Sequence, residues 1–489
     1  MVVLYHYKNI ENMDEILKYV QNQLVQAPFR LKSYTQDEQG KKYPQRHIYI
    51  KIDKYLRDFL HSPNARERWV IIPGLRGVGK TTILAQLFSN HSQESGERRM
   101  LYISLDEVVN VLGSSLKDVL AAYEKILGES FERLTKPVFI FIDEAQYDPK
   151  WASVLKSVYD RSNKVFIACS GSSAVSLQTN PDVIRRAVFQ KLFPTSFPEF
   201  LMIRDGKFPT KDLKKNIKEA LFNAESAKDA YDKLKSIEQN VLSVWASIDR
   251  HHIDEYLKIG TLPFAIRVRD EARVYQTITL LLDKVINQDV QSLGRFDAKT
   301  LSHIKRVLFL LAESDMVSLQ KLATTLETSV NTVANILEIL EQAELLIRVM
   351  PYGSNTKKVR KPSKYHFMSS AMRSAFLSVA GNEQIFAGQK GRLMEDIVAM
   401  TLYREFVANS RGSLNYDSVK SGADFILTIA ERNIIPIEVG IGEKTGTQVR
   451  NTMKKIGSAK YGVVICRNNL ALLEDANVVK VPLDFFLLI

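Results

Sequence analysis

One stretch constrains this 489-residue chain more than any other: Gly74-Leu75-Arg76-Gly77-Val78-Gly79-Lys80-Thr81. It stands between the apolar run Trp69-Val70-Ile71-Ile72 and an amphipathic helical pattern from Thr82 to Phe88. A glycine-rich turn leading from a buried strand into a helix lets backbone N–H groups point inward around phosphate oxygens. Lys80 would bring a positive charge to the β and γ phosphates, and Thr81 would offer its hydroxyl to Mg²⁺. Gly74, Gly77, Gly79, Lys80, Thr81 and Thr82 are therefore the candidate nucleotide-binding residues. A strand-to-helix turn without a ligand is the plain alternative, and the strand and helix on either side weigh against it.

A second run, Pro137-Val138-Phe139-Ile140-Phe141-Ile142-Asp143-Glu144, is apolar throughout and ends in two acids. That suits a central parallel strand buried on both faces, with its carboxylates emerging beside the phosphate loop. Asp143 would hold Mg²⁺ through water, and Glu144 would orient and deprotonate an attacking water. A third strand, Lys164 to Ser170, ends in a hydroxyl. Ser170 is a candidate γ-phosphate sensor, with the start of an ordinary loop as the alternative.

Further motifs follow in order: Tyr102-Ile103-Ser104-Leu105-Asp106, Ile142-Asp143-Glu144-Ala145-Gln146-Tyr147, Trp151, Cys169-Ser170-Gly171-Ser172-Ser173 and Phe193-Pro194-Thr195-Ser196-Phe197-Pro198-Glu199-Phe200. With the phosphate loop, they make the chain resemble the prokaryotic AAA-type P-loop ATPases fused to a C-terminal restriction-endonuclease-like domain of unknown function. The resemblance implies ATP and Mg²⁺ as cofactors and an α/β multidomain chain. The expected parts are a RecA-like P-loop core with a parallel sheet, a helical lid, a winged helix and a C-terminal α/β nuclease-like domain. It maps the family's arginine onto Arg186, beside Arg185 where the family has glycine. AAA-type cores usually take a catalytic arginine from a neighbour, so an ATP-dependent homo-oligomer is expected.

The length suits roughly three domains at about 150 residues each. The reading is an N-terminal helical segment at 1–60, an ATPase core at 61–205, a helical lid at 206–299, a winged helix at 300–370 and a nuclease-like domain at 385–489. Hydrophobic content of 45% and charged content of 25% describe a globular chain, not a disordered one. No apolar run approaches the roughly 18 residues that cross a bilayer, so a cytoplasmic protein without membrane contact is expected. Its two cysteines, Cys169 and Cys466, lie in apolar runs and read as core.

The charge excess is +12, and it is uneven. Lys207, Lys211, Lys214, Lys215, Lys218, Lys228, Lys233 and Lys235 form one basic stretch; Lys357, Lys358, Arg360, Lys361 and Lys364 form another. Either is a candidate nucleic-acid surface or a solvated face. The second falls in the wing of a winged-helix pattern: helices at Ser302–Glu313, Leu319–Leu326 and after Ser329, then strands at 345–350 and 364–367. The third helix carries no Lys or Arg and ends in Glu338, Glu341 and Glu344, so the wing is the better DNA contact. Asn331, Thr332 and Asn335 could touch bases, and a winged helix that packs on protein is the alternative.

The last hundred residues hold a hairpin signal: Gly422 to Ile429 and Ile434 to Val439, with a turn centred near Glu431. Asp424 and Glu438 lie equally far from that centre, so antiparallel pairing sets them opposite each other, where they could share a Mg²⁺. This resembles the metal site of PD-(D/E)xK nucleases, which implies Glu395, on a helix from Gly391 to Phe406, as a further acid. The lysine of that pattern falls on Gly440. On an extended strand Lys444 would lie roughly 13 Å further along, unless Gly440 and Gly442 let the chain bend back. Two readings stand: a Mg²⁺-dependent ATPase coupled to a nucleic-acid transaction, DNA foremost and in defence against foreign DNA, with an active or silent nuclease domain; or a nucleotide switch that assembles through protein contacts.

Overall fold

In a computed structural model the described residues are 2–62, 65–92, 98–171, 181–290, 297–314, 316, 318–354, 361–377, 382–430, 433–467 and 469–489. They form two compact units, Met1–Phe193 and Pro194–Ile489.

The first unit is built on five strands: β1 (Trp69–Pro73), β2 (Met100–Ser104), β3 (Val138–Asp143), β4 (Val165–Gly171) and β5 (Val188–Phe189). They run parallel in the order β2-β3-β4-β1-β5. Every residue of β1, β3 and β4 is buried, which explains why these strands read as unbroken apolar runs: helices cover both faces of a parallel sheet. Each fully buried large apolar side chain contributes about 1.5–3 kcal/mol relative to exposure. Trp69, Ile71, Ile140, Ile142 and Ile167 belong to one continuous core. Because β4 lies between β1 and β3, the turn after β1, the acids at the end of β3 and Ser170 near the end of β4 meet at one edge of the sheet. Helix α1 (Lys80–His91) begins at the second residue of the Gly79-Lys80-Thr81 sequence. Cys169 is buried in this sheet, and burial pushes its thiol up to about 12.

The second unit opens with helix α2 (Phe197–Asp205), whose N-terminus carries a reciprocal capping box between Ser196 and Glu199. Helices at Lys211–Phe222, Ala227–Ser236 and Glu238–Ala246 follow. The Tyr256–Gly260 turn packs back on α2. Tyr256 donates its hydroxyl proton to Thr195 O at 2.9 Å, Thr195 N donates to Thr261 O at 2.9 Å, and the Thr261 and Ser369 hydroxyls lie 2.7 Å apart. A Cβ on Gly260 would stand 2.7 Å from the Phe200 ring, so glycine is what lets the turn approach. The Tyr256-to-Pro263 motif is therefore a packing joint.

Three helices, α3 (Ala298–Glu313), α4 (Leu319–Thr325) and α5 (Val330–Gln342), precede the antiparallel pair β6 (Leu346–Pro351) and β7 (Lys364–Phe367). Helix α6 (Glu383–Leu402) leads to β8 (Gly412–Tyr416), β9 (Phe425–Ile429), β10 (Asn433–Val439), β11 (Gly462–Cys466), β12 (Ala471–Leu473) and β13 (Val478–Pro482). All eight strands share one sheet in the order β12-β13-β11-β10-β9-β8-β6-β7. The β6–β7 pair is thus no separate wing. Met350 and Pro351 of β6 pair in parallel with Asn415 and Tyr416 of β8, which satisfies an edge that would otherwise stay open. Strands from the 300–370 and 385–489 segments thus share this sheet.

A wholly buried ion pair pins this arrangement. Arg373 donates to both Asp396 oxygens at 2.6 and 2.9 Å and to the carbonyls of Leu311 and Ala312 at 3.0 and 2.9 Å. The first basic stretch is largely neutralised within the unit. Lys214 and Lys218 both pair with Glu405, and Lys215, Lys228, Lys233 and Lys235 pair with Glu219, Asp232, Asp229 and Glu238. Lys357, Lys358 and Arg360 of the second stretch lie outside the described residues, as do Ser172 and Ser173. No described helix is long and apolar enough to cross a membrane.

Candidate nucleotide site and a second acidic pair

The loop after β1 adopts its shape because its glycines permit it. Gly77 and Gly79 have φ of 82° and 96°, in the left-handed region that L side chains rarely occupy. A Cβ on Gly74 would stand 2.3 Å from Leu192 O. Lys80 reaches back along the loop, its ammonium donating to Gly74 O at 2.9 Å and Leu75 O at 3.0 Å. Thr82 lies half-buried in the first turn of α1. Behind the loop, Arg46 donates to Val78 O at 2.7 Å and Phe193 O at 2.9 Å and so braces it.

Three side chains from three segments converge on the carboxylate of Asp143. Thr81 donates its hydroxyl proton to Oδ2 at 2.7 Å, Tyr102 donates to the same oxygen at 3.2 Å, and Ser170 donates to Oδ1. Glu144 N in turn donates to Ser170 Oγ at 3.2 Å, so Ser170 ties the Asp143 carboxylate to the Glu144 backbone. Burial pushes the Asp143 carboxyl above its ordinary range, with the Glu144 charge adding to the rise and Ser170, Thr81 and Lys80 opposing it. A buried carboxylate beside a threonine hydroxyl is a hard-oxygen donor set of the kind Mg²⁺ takes, and a divalent cation would favour its ionised form. A cavity of about 400 Å³ opens beside Thr81 and Asp143, with Arg30, Tyr34, Asp106 and Glu107 among its walls.

Glu144 sits at φ 55°, a strained conformation for a residue with a side chain. Its carboxylate accepts from Gln146 and lies 3.6 Å from the guanidinium of Arg76, a side chain only 8% exposed. Arg76 also donates to the Tyr147 hydroxyl at 3.3 Å. Arg186 does not join this group: it pairs with Asp160 at 2.7 Å and with Asp182, while Arg185 is three-quarters exposed beside Asp182. Sequence reasoning missed Arg46, Arg76 and Tyr102. Arg76 and Tyr102 stood inside quoted motifs without a role, and Arg46 carried no signal at all.

At the other acidic pair the β9–β10 ladder ends at Phe425 opposite Ile437, so the next step outward sets Asp424 across from Glu438. The turn residue Glu431 lies outside the described residues. Asp424 Oδ2 accepts from Val439 N at 2.9 Å, and Lys364 of β7 brings its ammonium to 3.6 Å from Oδ1. Glu438 is buried, and its Oε2 has no hydrogen-bond partner among the described residues. Burial pushes Glu438 above its ordinary carboxylate range, and the Lys444 ammonium opposes that.

Lys444 is not 13 Å away. The bend after β10 folds it back until its ammonium is 3.3 Å from Glu438 Oε1, and a Cβ on Gly440 would stand 2.1 Å from Lys444 Cε. Its side chain thus fills the space that a side chain at 440 would take. Glu395, half-buried on α6, is not drawn in: among the described residues no three His, Cys, Asp or Glu side chains form a metal-sized group.

Fold and site together define a P-loop ATPase. The AAA domain family matches residues 66–201, and a family described as a domain of unknown function matches residues 250–383. The chain belongs to the family of the uncharacterized protein MJ1637 of Methanocaldococcus jannaschii, with 34% identity over 483 residues covering 98% of this chain and 95% of that protein. A second uncharacterized protein of that organism, MJ1544, is 22% identical over 378 residues, covering 75% of this chain and 74% of its own. Among solved structures, a Walker-type ATPase of Pyrococcus abyssi aligns with a TM-score of 0.40 at 12% identity, over 70% of this chain and 97% of that one. The ORC1 protein of Aeropyrum pernix in complex with DNA aligns at 0.31 with 14% identity, over 71% and 95%.

Proposed function

We propose that the chain is a Mg²⁺-dependent ATPase that couples ATP hydrolysis to a transaction on nucleic acid, DNA foremost. The observation that carries this is the convergence of Thr81, Tyr102 and Ser170 on Asp143, with Glu144 next in line at the mouth of the phosphate loop. In the proposed reaction water attacks the γ-phosphorus, the bond to the β-bridging oxygen breaks, and Glu144 accepts the water proton. Lys80 leaves the loop carbonyls for the phosphate oxygens. Thr81 directly and Asp143 through water would hold Mg²⁺, which when bound neutralises phosphate charge.

The nucleic-acid half of the reading is supported by the charge excess of +12 and by the acidic pair flanked by Lys364 and Lys444. Two carboxylates and two ammonium groups at one strand end suit a phosphodiester with a divalent cation. The α3–α5 helices followed by β6 and β7 have the element order of a winged helix, with Asn331 and Asn335 exposed near the start of α5. The second reading, a nucleotide switch acting through protein contacts, draws support from the other end of α5, where the exposed Glu338 and Glu341 would repel a phosphate backbone.

The test is ATP turnover of wild type, Lys80→Ala and Glu144→Gln, each with single-stranded DNA, duplex DNA, RNA or none. Lys80→Ala is expected to lose binding, and Glu144→Gln to keep binding with kcat reduced by more than tenfold. Stimulation of wild type by a nucleic acid supports coupling, and turnover indifferent to all three favours the switch.

A further inference from the structure

Beside Lys80, the nucleotide cluster contains a second cation, Arg76, in contact with Glu144. Arg76 is the third residue of the phosphate loop, between Leu75 and Gly77 in a turn whose backbone amides would surround the phosphates, and its side chain is almost wholly buried. Its guanidinium touches Glu144, the group that would take the proton from water, and Tyr147 on the turn just beyond. Arg186, which the family resemblance offered for the positive charge at the γ-phosphate, is held by Asp160 and Asp182.

We infer that Arg76 is the arginine of this ATPase, supplied in cis: paired with Glu144 when no nucleotide is bound, and drawn onto the γ-phosphate when ATP enters. The inference rests on the ATPase reading above. A guanidinium carries five donors in a rigid fork, enough to contact a phosphate oxygen while keeping its bond to the Tyr147 hydroxyl. A dianionic γ-phosphate arriving at the loop competes with the Glu144 carboxylate, which lies 3.6 Å away. The exchange does two things in one movement. It frees Glu144 to accept a proton, and it places positive charge where negative charge builds as the bond between the γ-phosphorus and its bridging oxygen breaks. ADP, which lacks that phosphate, leaves the Arg76–Glu144 pair closed.

The experiment measures binding and turnover separately. Calorimetric titrations with ADP and with the non-hydrolysable β,γ-imido ATP are run on wild type, Arg76→Gln, Arg76→Lys, Glu144→Gln and the Arg76→Gln/Glu144→Gln double variant, all in Mg²⁺. Arg76→Gln is expected to weaken the ATP analogue about tenfold while ADP stays within about twofold, and to lower kcat about 10³-fold. Glu144→Gln, which releases the guanidinium, should tighten the ATP analogue and not ADP, and the double variant should lose that gain. Arg76→Lys, which keeps charge but not the fork, should fall between. Equal weakening of ADP and the ATP analogue in Arg76→Gln would show that Arg76 only braces the loop and would overturn the inference. So would a tightening that persists in the double variant. If Arg76→Gln does not fold, Arg76→Lys and Glu144→Gln decide the matter alone. Wild type that binds neither nucleotide removes the ATPase reading itself, a different failure from bound nucleotide without discrimination.

Discussion

Adding a single methyl group at Gly440 should disconnect Lys444 from the acidic pair while leaving the fold in place. In Gly440→Ala the new Cβ would stand 2.1 Å from Lys444 Cε, 3.0 Å from Cγ and 3.1 Å from Cδ, so the two cannot coexist. All three atoms belong to a flexible side chain and none to backbone. The strain is therefore relieved by swinging the lysine away, at a stability cost of about 1 kcal/mol or less. What is lost is the cation 3.3 Å from Glu438. In a protein environment such a pair has a Coulomb energy of several kcal/mol, but Lys444 is 30% exposed, and solvent screening reduces the net to about 1 kcal/mol. That ammonium competes with any divalent cation for the same carboxylate. Its removal should therefore raise Mn²⁺ affinity roughly fivefold, in Gly440→Ala and in Lys444→Ala alike, whereas Asp424→Ala should abolish binding. Calorimetric Mn²⁺ titration at pH 8, with thermal melts alongside, reads this without any assay of cleavage. Mg²⁺-dependent cleavage of DNA by wild type, where present, should fall about 10²-fold in both lysine-displacing variants. Unchanged Mn²⁺ affinity in both, with melting temperatures intact, would refute the placement of Lys444.

Arg373→Ala removes the guanidinium that pairs with the buried Asp396 carboxylate and should cost about 3–5 kcal/mol in denaturant unfolding; a loss under about 1 kcal/mol would mean that water replaces the guanidinium. Burial pushes the Asp396 carboxyl up, but Arg373 and His366 more than offset this and hold it below its ordinary 3.8. Its stabilisation is therefore complete above about 3.8 and is lost as pH falls further. An Asp396 contribution already declining between pH 6 and 5, measured as the stability difference between wild type and Asp396→Asn, would contradict that. Gly74→Ala forces a Cβ to within 2.3 Å of a backbone oxygen that cannot swing aside. It should destabilise the first unit by about 1–3 kcal/mol and weaken binding of a fluorescent ATP analogue; wild-type affinity would show that the loop can shift without loss.

Local chemistry carried far in this chain wherever the structure needs only neighbours in sequence. The phosphate loop is legible because φ above zero at Gly77 and Gly79 demands glycine and because a lysine and a threonine must follow at the helix start. β3 and β4 are legible because a parallel strand buried on both faces can hold little but apolar residues. The facing of Asp424 and Glu438 could be counted out from residue 431, since a short turn sets the register of both strands.

The remainder depended on which distant segments the fold brings together, and no local pattern encodes that. Glu405 neutralises Lys214 across 191 residues, turning part of a basic stretch into an internal contact. Lys364, read as part of a wing, stands beside Asp424 because β6 pairs with β8 and carries β7 to the edge of the same sheet. Arg186 went to Asp160, and Arg76, an unassigned position within the motif, went to Glu144. At Gly440 the sequence alone determined that the expected lysine is missing. The tertiary structure returned one from four residues on, because the chain turns sharply after β10 and a glycine leaves room for the side chain that comes back.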